Sequence, residues 1–433
     1  MDYAEGRNNG LNISTDELNR SLTLLVKAFS KNWLTSQKDN PVQLLWNRKD
    51  GLSTNELYSL AEAIKKMREI DNEWVSHKIK IIKGKDENNR KGALFELFAL
   101  SFFAVVNAKM LPSKRNTPGV DGHLIYGDGS IMNISIKSYY SGHYDNFLKE
   151  SKKIEKQTER IIKERNLKTI QITVLCSQYP KPADWKLLNE QLGETVINYN
   201  MMDNAIALGP WTIFLTNLDK DKYNFSAEYN SYKFINISPY HSNEMLNLIS
   251  KLDEAFYNLY KHSNKQDSRN SNAIFIHLPV TASLSKCLQW ASDYFDQHTD
   301  NKIFWVLFYQ PSVATNEDKT VIHHYMEVLF NKSFTEWDKS KSNIELSIPV
   351  GLIGKEPSKT QFHFDNKTFD VENYYIYQSV NYYTEAIATE SKIEGNVSKI
   401  APGILNHCVL NLPNSEKVLI SGKFSPYDSL LIL

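Results

Sequence analysis

The stretch from Lys91 to Lys109 has a single charged residue between its ends, Glu96. Its apolar side chains (GALFELFALSFFAVV) fall on all sides of a helix, and such a helix has to be buried in a layered core. An unpaired carboxylate buried there costs several kcal/mol, so we expect Glu96 to have a cation, a metal or a shifted pKa. The alternative is that Glu96 lies on one exposed edge of the helix.

Length and composition limit the class of protein. The chain has 433 residues, of which 41% are hydrophobic and 23% charged, which is typical of a folded protein of two to four domains. It has no apolar stretch long enough to span a bilayer, and its polar first ten residues differ from a signal peptide. Cys176, Cys287 and Cys408 lack disulfide or zinc spacing, so we expect a reducing, cytoplasmic location and no membrane partner.

Periodicity and capping residues predict an α/β fold with a helical N-terminal layer. Residues 13–33 and 52–70 are typical of capped helices. After the apolar helix come three strands at 108–111, 120–126 and 130–139, a charged helix at 145–166 and a strand at 169–176. The predicted order is α-β-β-β-α-β within about 90 residues.

These patterns predict four regions. They are a helical N-terminal region (1–85), an α-β-β-β-α-β core (86–180), an α/β extension of that core (181–262) and a C-terminal α+β, strand-rich domain of unknown role (271–433). Within the last region, strands at 273–280 and 302–309 flank a helix near 283–297, which predicts a β-α-β unit.

Polar residues recur on one face of the third strand of the predicted core. Alternation puts Asn133, Ser135 and Lys137 on the same face. A two-residue turn at Asp128-Gly129 would leave Asp121 on the opposite face. A three-residue turn, Gly127-Asp128-Gly129 with Gly129 left-handed, pairs position 121 with 135 and brings Asp121 to the face of Lys137. We predict the second register, in which Asp128 is only a turn residue.

The formal net charge of zero is unevenly distributed along the sequence. Residues 1–170 contain 28 basic and 21 acidic residues, so this part carries +7 and the remainder carries −7. Much of the positive charge is in residues 77–91 and 149–168. Such runs are usually solvated faces, but a positive half also suits a nucleic-acid partner.

Residues 90–177 resemble the PD-(D/E)XK nuclease superfamily, which has a restriction-endonuclease-like core. The family has an acidic residue on the first helix, an Asp on the second strand and a (D/E)-x-K tripeptide on the third. Here these correspond to Glu96, to Asp121 in PGVD, and to Ser135-Ile136-Lys137. Serine replaces the usual acidic residue at 135, and a hydroxyl is a poorer ligand for a hard divalent cation than a carboxylate.

The resemblance implies a Mg²⁺-dependent (or Mn²⁺-dependent) endonuclease acting on DNA, of the prokaryotic restriction or phage-defence kind. Glu96, Asp121, Ser135 and Lys137 would be its catalytic residues, with Glu96, Asp121 and the Ile136 carbonyl holding the metal. The charged helix would supply phosphate contacts through Lys149, Lys152, Lys153, Lys156, Arg160 and Lys163.

Two other functional hypotheses stay open. One is a nuclease-like DNA- or protein-binding module that has lost catalysis through Ser135. The other is a structural α/β protein in which Glu96, Asp121 and Lys137 never meet. For partners we expect duplex DNA and, besides it, a second copy of the chain in a homodimer and a protein partner bound through the C-terminal domain.

Overall fold

The structure is a computed structural model of the chain. It describes residues 2–8, 11, 13–36, 40–105, 108–114, 119–140, 142–165, 170–198, 205–217, 233–262, 270–279, 282–298, 303–316, 319–331, 344–354, 361–364, 367–370, 373–378, 407–411, 417–421 and 431–433. Over these residues the protein is mixed α/β, in agreement with the predicted class.

Ten helices are described. They are α1 (Thr15–Phe29), α2 (Lys31–Thr35), α3 (Pro41–Asn47), α4 (Gly51–Ile70), α5 (Asn72–Ile82), α6 (Glu87–Phe103), α7 (Gly142–Glu164), α8 (Pro182–Ile197), α9 (Asn243–His262) and α10 (Leu284–Gln297). Side-chain caps fix several starts. Ser14 accepts a hydrogen bond from the Glu17 N–H at α1, and Asp86 accepts one from the Asn89 N–H at α6. Ser30, at φ +69°, separates α1 from α2 within the single helix predicted at 13–33.

The described strands number sixteen. They are β1 (Ala108–Pro112), β2 (Gly122–Tyr126), β3 (Ile131–Ser138), β4 (Ile170–Cys176), β5 (Ile206–Leu208), β6 (Trp211–Asn217), β7 (Lys233–Pro239), β8 (Asn270–His277), β9 (Ile303–Asn316), β10 (Lys319–Phe330), β11 (Leu352–Gly354), β12 (Gln361–Phe364), β13 (Lys367–Asp370), β14 (Tyr374–Gln378), β15 (His407–Asn411) and β16 (Lys417–Ser421). A seven-stranded sheet has the order β1-β2-β3-β8-β9-β10-β11, and a five-stranded sheet has the order β14-β7-β4-β6-β5. β12–β13 and β15–β16 form separate antiparallel pairs.

The chain forms two compact units. Unit 1 comprises residues 1–140, 245–356 and 427–433, and it contains the seven-stranded sheet. Unit 2 comprises residues 141–244 and 357–426, and it contains the five-stranded sheet together with α7 and α8. In chain order, the first segment of unit 2 is therefore an insertion between β3 and β8.

This division differs from the predicted regions. The α-β-β-β-α-β order was predicted correctly along the chain, but α7 and β4 do not complete the sheet that holds β3. The parallel neighbour of β3 is β8, and α9 precedes β8 in the chain. The boundary at 180, the separate extension 181–262 and the C-terminal domain 271–433 were therefore wrong. The β-α-β unit was right, since β8 and β9 are parallel with α10 between them in sequence.

The apolar helix α6 lies in the core of unit 1, as its sequence predicts. From Leu97 to Phe103 every side chain is buried. Phe95 packs against Phe275 of β8 and Tyr309 of β9, with ring centroids 5.2 and 6.1 Å apart. The helix comes very close to β2, since a Cβ built on Gly122 would lie only 2.6 Å from Leu100 Cδ2. The glycine therefore allows α6 to pack against the start of β2.

Among the described helices, none has both the length and the apolar character needed to cross a bilayer. Cys176 and Cys287 are buried, and burial raises the pKa of Cys176 to about 11. Cys408 lies on β15, outside the residues whose side chains are described.

Candidate functional site

The hairpin register brings Asp121 to the face of Lys137. Gly122 pairs with Ile134 and His123 with Asn133, so position 121 is opposite 135. Gly129 has φ +80°, and its N–H donates to the Tyr126 carbonyl at 2.9 Å. The three-residue turn predicted from the sequence is therefore confirmed. The Asp128 carboxylate accepts hydrogen bonds from the Ser130 N–H and hydroxyl, which confirms its role in the turn.

Asp121 is held by the strand that contains Lys137. The backbone N–H of Ile136 donates to Asp121 Oδ2 at 2.6 Å, and the Asp121 N–H donates to the Ile134 carbonyl at 2.8 Å. Burial raises the pKa of Asp121 to about 6, and the charge of Glu96 adds to the increase. The Ile136 hydrogen bond, Lys137 and Lys78 act in the opposite direction.

Glu96 of helix α6 lies within electrostatic reach of Asp121. It is one turn before Leu100, whose Cδ2 would lie 2.6 Å from a Cβ built on Gly122, the residue after Asp121. The sequence left two alternatives for Glu96, a partner in the core or a place at an exposed edge of the helix, and each holds in part. The Glu96 side chain retains 25% exposure, and it forms an ion pair with Lys78, whose side chain is only 12% exposed. Glu96 thus has the cation that its apolar surroundings require.

Lys137 is anchored by a residue of helix α9. Its Nζ donates to Glu254 Oε1 at 2.8 Å, and the Lys137 side chain is 15% exposed. This contact, together with the charge of Lys251, lowers the pKa of Glu254. Because α9 comes just before β8 in the chain, the crossover between the parallel strands β3 and β8 supplies this carboxylate.

A row of polar side chains crosses the sheet beside these residues. His123 donates through Nδ1 to Asn133 Oδ1 at 2.9 Å, and the Asn133 amide donates to Asn272 Oδ1 on β8 at 3.1 Å. Ser135, the next residue of β3 on this face, is 1% exposed, and its hydroxyl has no hydrogen-bond partner among the described residues. Hydrogen bonds to neighbouring polar groups account for the buried Asn133 but not for Ser135.

Lys78 and Glu254 were missed by the sequence interpretation. Lys78 lies in the basic run 77–91, which is typical of a solvated face. Its position one turn after the buried Trp74 and next to the buried Ile79 could have indicated a side chain at the edge of the core. No local pattern marks Glu254, because its role depends on the pairing of β3 with β8.

The six cations proposed to bind phosphate lie on helix α7 of unit 2, not in the unit that holds Glu96, Asp121 and Lys137. All six are exposed. Three form ion pairs with glutamates of the same helix, Lys153 with Glu150, Arg160 with Glu164 and Lys163 with Glu159. The helix contains six basic and five acidic residues, so its face is mixed in charge.

Within the described part of the chain, no group of three or more His, Cys, Asp or Glu side chains is arranged to hold a metal ion. The candidate site offers two carboxylates, Glu96 and Asp121. No family model matches the sequence, and neither a curated protein nor a solved structure matches it.

Proposed function

We propose that the chain is a metal-dependent deoxyribonuclease whose site consists of Glu96, Asp121 and Lys137. The observation that carries the proposal is the hairpin register, which brings Asp121 and Lys137 to one face within electrostatic reach of Glu96. A partly buried acidic pair beside a lysine is unusual outside functional sites. The restriction or phage-defence context follows from the family resemblance.

The topology of unit 1 supports a restriction-endonuclease-like core with bounds other than 86–180. In that unit α6, β1, β2 and β3 are followed by α9 and β8, which again gives the order α-β-β-β-α-β. β8 is parallel to β3, as a helical crossover requires. On this interpretation, residues 141–244 are an insertion in the core.

The donor atoms fit a divalent cation such as Mg²⁺ or Mn²⁺. Glu96 and Asp121 repel each other in a desolvated site, which a bound cation would relieve, and the orphaned Ser135 hydroxyl lies on the same face. Glu96, Asp121 and the carbonyl of Ile136 would hold the ion. When bound, it polarises the phosphate and lowers the pKa of a water molecule.

The protein's own groups set the geometry for hydrolysis. The hydrogen bond from the Ile136 N–H orients the Asp121 carboxylate. Lys137 offsets negative charge that develops on the phosphate, and Glu254 holds the Lys137 ammonium in place. The exposed cations of α7, in unit 2, would themselves contact phosphates, and such contacts contribute affinity without sequence information.

A catalytically inactive binding module is the second candidate. Two observations favour it. Ser135 stands where the family has an acidic residue, and the Lys78 ammonium already neutralises Glu96. Such a module would bind DNA or protein through the same fold and would not respond to metal.

A cleavage assay separates the two candidates. The full chain is incubated with plasmid, linear duplex and single-stranded DNA in Mg²⁺, Mn²⁺ or EDTA, beside Asp121→Asn and Lys137→Met. We expect metal-dependent cleavage that falls about 10²–10³-fold in each variant, since Asp121→Asn removes a ligand of the metal ion and Lys137→Met removes a cation that offsets the charge on the phosphate.

Lys109→Met on the exposed face of β1 is the matched control and should cleave like the wild type. DNA binding without cleavage in any metal would favour the inactive module. Cleavage that is equal in the wild type and both site variants would remove Asp121 and Lys137 from the mechanism.

A further inference from the structure

The Lys78–Glu96 ion pair involves one of the two carboxylates of the proposed metal site. Lys78 is on α5 and Glu96 is on the neighbouring α6, and both side chains are largely buried. The ammonium also lies 5.2 Å from the centre of the Trp74 ring, in a cation–π contact. These two contacts hold Lys78 at the edge of the core.

Lys78 also affects a carboxylate other than its ion-pair partner. The charge of Lys78 lowers the pKa of Asp121 whereas that of Glu96 raises it, so the ammonium lies within electrostatic reach of both carboxylates. Two partly buried carboxylates close to each other are costly without a cation, and a nearby ammonium offsets that cost. The chain therefore carries its own counter-ion for the pair.

We propose that Lys78 is a positioning residue that competes with the divalent cation for Glu96. The inference rests on the proposed function, because it assumes that Glu96 and Asp121 bind metal. In the metal-free protein Lys78 holds Glu96 in an ion pair. Metal binding breaks that pair and moves the ammonium away, so Lys78 sets the metal concentration at which the site fills.

The test measures Mn²⁺ binding to the full chain by calorimetry, with Asp121→Asn subtracting ions bound elsewhere. We expect the dissociation constant to fall at least about tenfold in Lys78→Met, because the competing charge is gone. Lys78→Arg retains a cation that can pair with Glu96 through two hydrogen bonds. The affinity of this variant for Mn²⁺ should therefore equal that of the wild type or be lower. Lys80→Met, an exposed lysine on the same helix, should leave the affinity unchanged.

Thermal unfolding gives a second measurement that does not depend on activity. In EDTA, Lys78→Met should melt below the wild type because two carboxylates lose their counter-ion. Saturating Mn²⁺ should raise its melting temperature more than it raises that of the wild type. Should Lys78→Met fail to fold, Lys78→Arg still decides the matter, since an affinity tighter than the wild type contradicts competition.

The possible failures are distinct. If the wild type binds Mn²⁺ through Asp121 but Lys78→Met does not bind it more tightly, the competition is overturned and the metal site remains. If neither protein binds Mn²⁺ in an Asp121-dependent way, both the metal site and the competition are overturned. Binding that appears only in Lys78→Met supports the competition.

Discussion

At the residue scale, the candidate site contains two ion pairs and one carboxylate outside them. Lys78 pairs with Glu96 and Lys137 pairs with Glu254, each across two elements of unit 1. Asp121 instead accepts a backbone N–H bond, and its raised pKa reflects burial that is only partly offset. Asp121 is therefore the acidic residue of this group with the most to gain from a bound cation.

Glu254 is the residue whose removal tests how Lys137 is held. Replacing it in Glu254→Gln removes the anionic partner while keeping the size of the side chain. We expect cleavage to fall about tenfold through kcat, with KM nearly unchanged, because supporting residues of this kind typically contribute 10–100-fold. Glu254→Asp should recover part of the loss. Steady-state kinetics on linear duplex measure both constants.

Asp293→Asn is the control for that experiment, since Asp293 is exposed on α10 and the charge change is the same. Full activity in Glu254→Gln, combined with an inactive Lys137→Met, would show that Lys137 acts without this anchor.

At the scale of elements, the β2–β3 hairpin determines which side chains meet. Position 121 pairs with 135 only because three residues form the turn and Gly129 adopts a left-handed conformation. A shift of one residue would send Asp121 to the opposite face. The three-residue turn thus determines which side chains lie in the candidate site, although the turn itself is not part of that site.

The turn offers a matched pair of glycines for mutation. Gly129→Ala places a Cβ at φ +80°, so we expect the free energy of unfolding to fall by about 1–2 kcal/mol. Gly127→Ala lies in open space without a positive φ and should change stability by only about 0.5 kcal/mol or less. Urea denaturation measures both. Equal stability of the two variants would contradict the assigned turn.

Local elements were predictable from the sequence, and their long-range pairing was not. The register of β2 and β3 follows from turn residues within ten positions, and α6 follows from its uniformly apolar composition. β3, however, pairs with β8, and the hydrogen bond between Asn133 and Asn272 spans 139 residues. α7 and β4 follow β3 directly in the chain and have the sequence patterns of a helix and a strand. The local pattern therefore favoured α7 and β4, instead of α9 and β8, as the last two elements of the core.

The same distinction holds for the site. Asp121 and Lys137 could be placed on one face by counting residues along a hairpin. Lys78 and Glu254 could not be placed, because their contacts depend on how α5 packs beside α6 and on the return of the chain through α9.

At the scale of the whole molecule, the charge contrast between the two parts of the sequence does not follow the fold. Unit 1 contains 31 basic and 30 acidic residues, and unit 2 contains 19 and 20. Each unit is therefore nearly neutral. Affinity for DNA would have to come from local groups of cations rather than from the net charge of either unit.

Unit 1 also joins distant parts of the chain through a buried carboxyl group. Glu56 of α4 accepts a hydrogen bond from the Ile432 N–H at 2.9 Å. Burial raises the pKa of Glu56 to about 7. Between about pH 4.5 and pH 7, Glu56 is protonated in the folded protein but ionised in the unfolded chain. The contribution of Glu56 to the free energy of unfolding is therefore greatest below about pH 4.5 and is lost as the pH rises through about 7.

Glu56→Gln keeps the acceptor for Ile432 and removes the titration. We expect the variant to melt above the wild type at pH 8, by an amount that corresponds to about 3 kcal/mol, and to match it near pH 4.5. Melting temperatures across this pH range measure the difference. If the difference in melting temperature between Glu56→Gln and the wild type does not vary with pH, the titration of Glu56 does not cause it.

The insertion of residues 141–244 has a consequence for the newly made protein. β3, with Lys137, leaves the ribosome long before β8, and Glu254 follows Lys137 by 117 residues. At about 5–20 residues per second, the lysine waits roughly 6–23 s for its anchor. A nascent chain that ends before Glu254 has neither the central strand of the sheet nor the partner of Lys137, so a ribosome-bound fragment of that length carries an incomplete site.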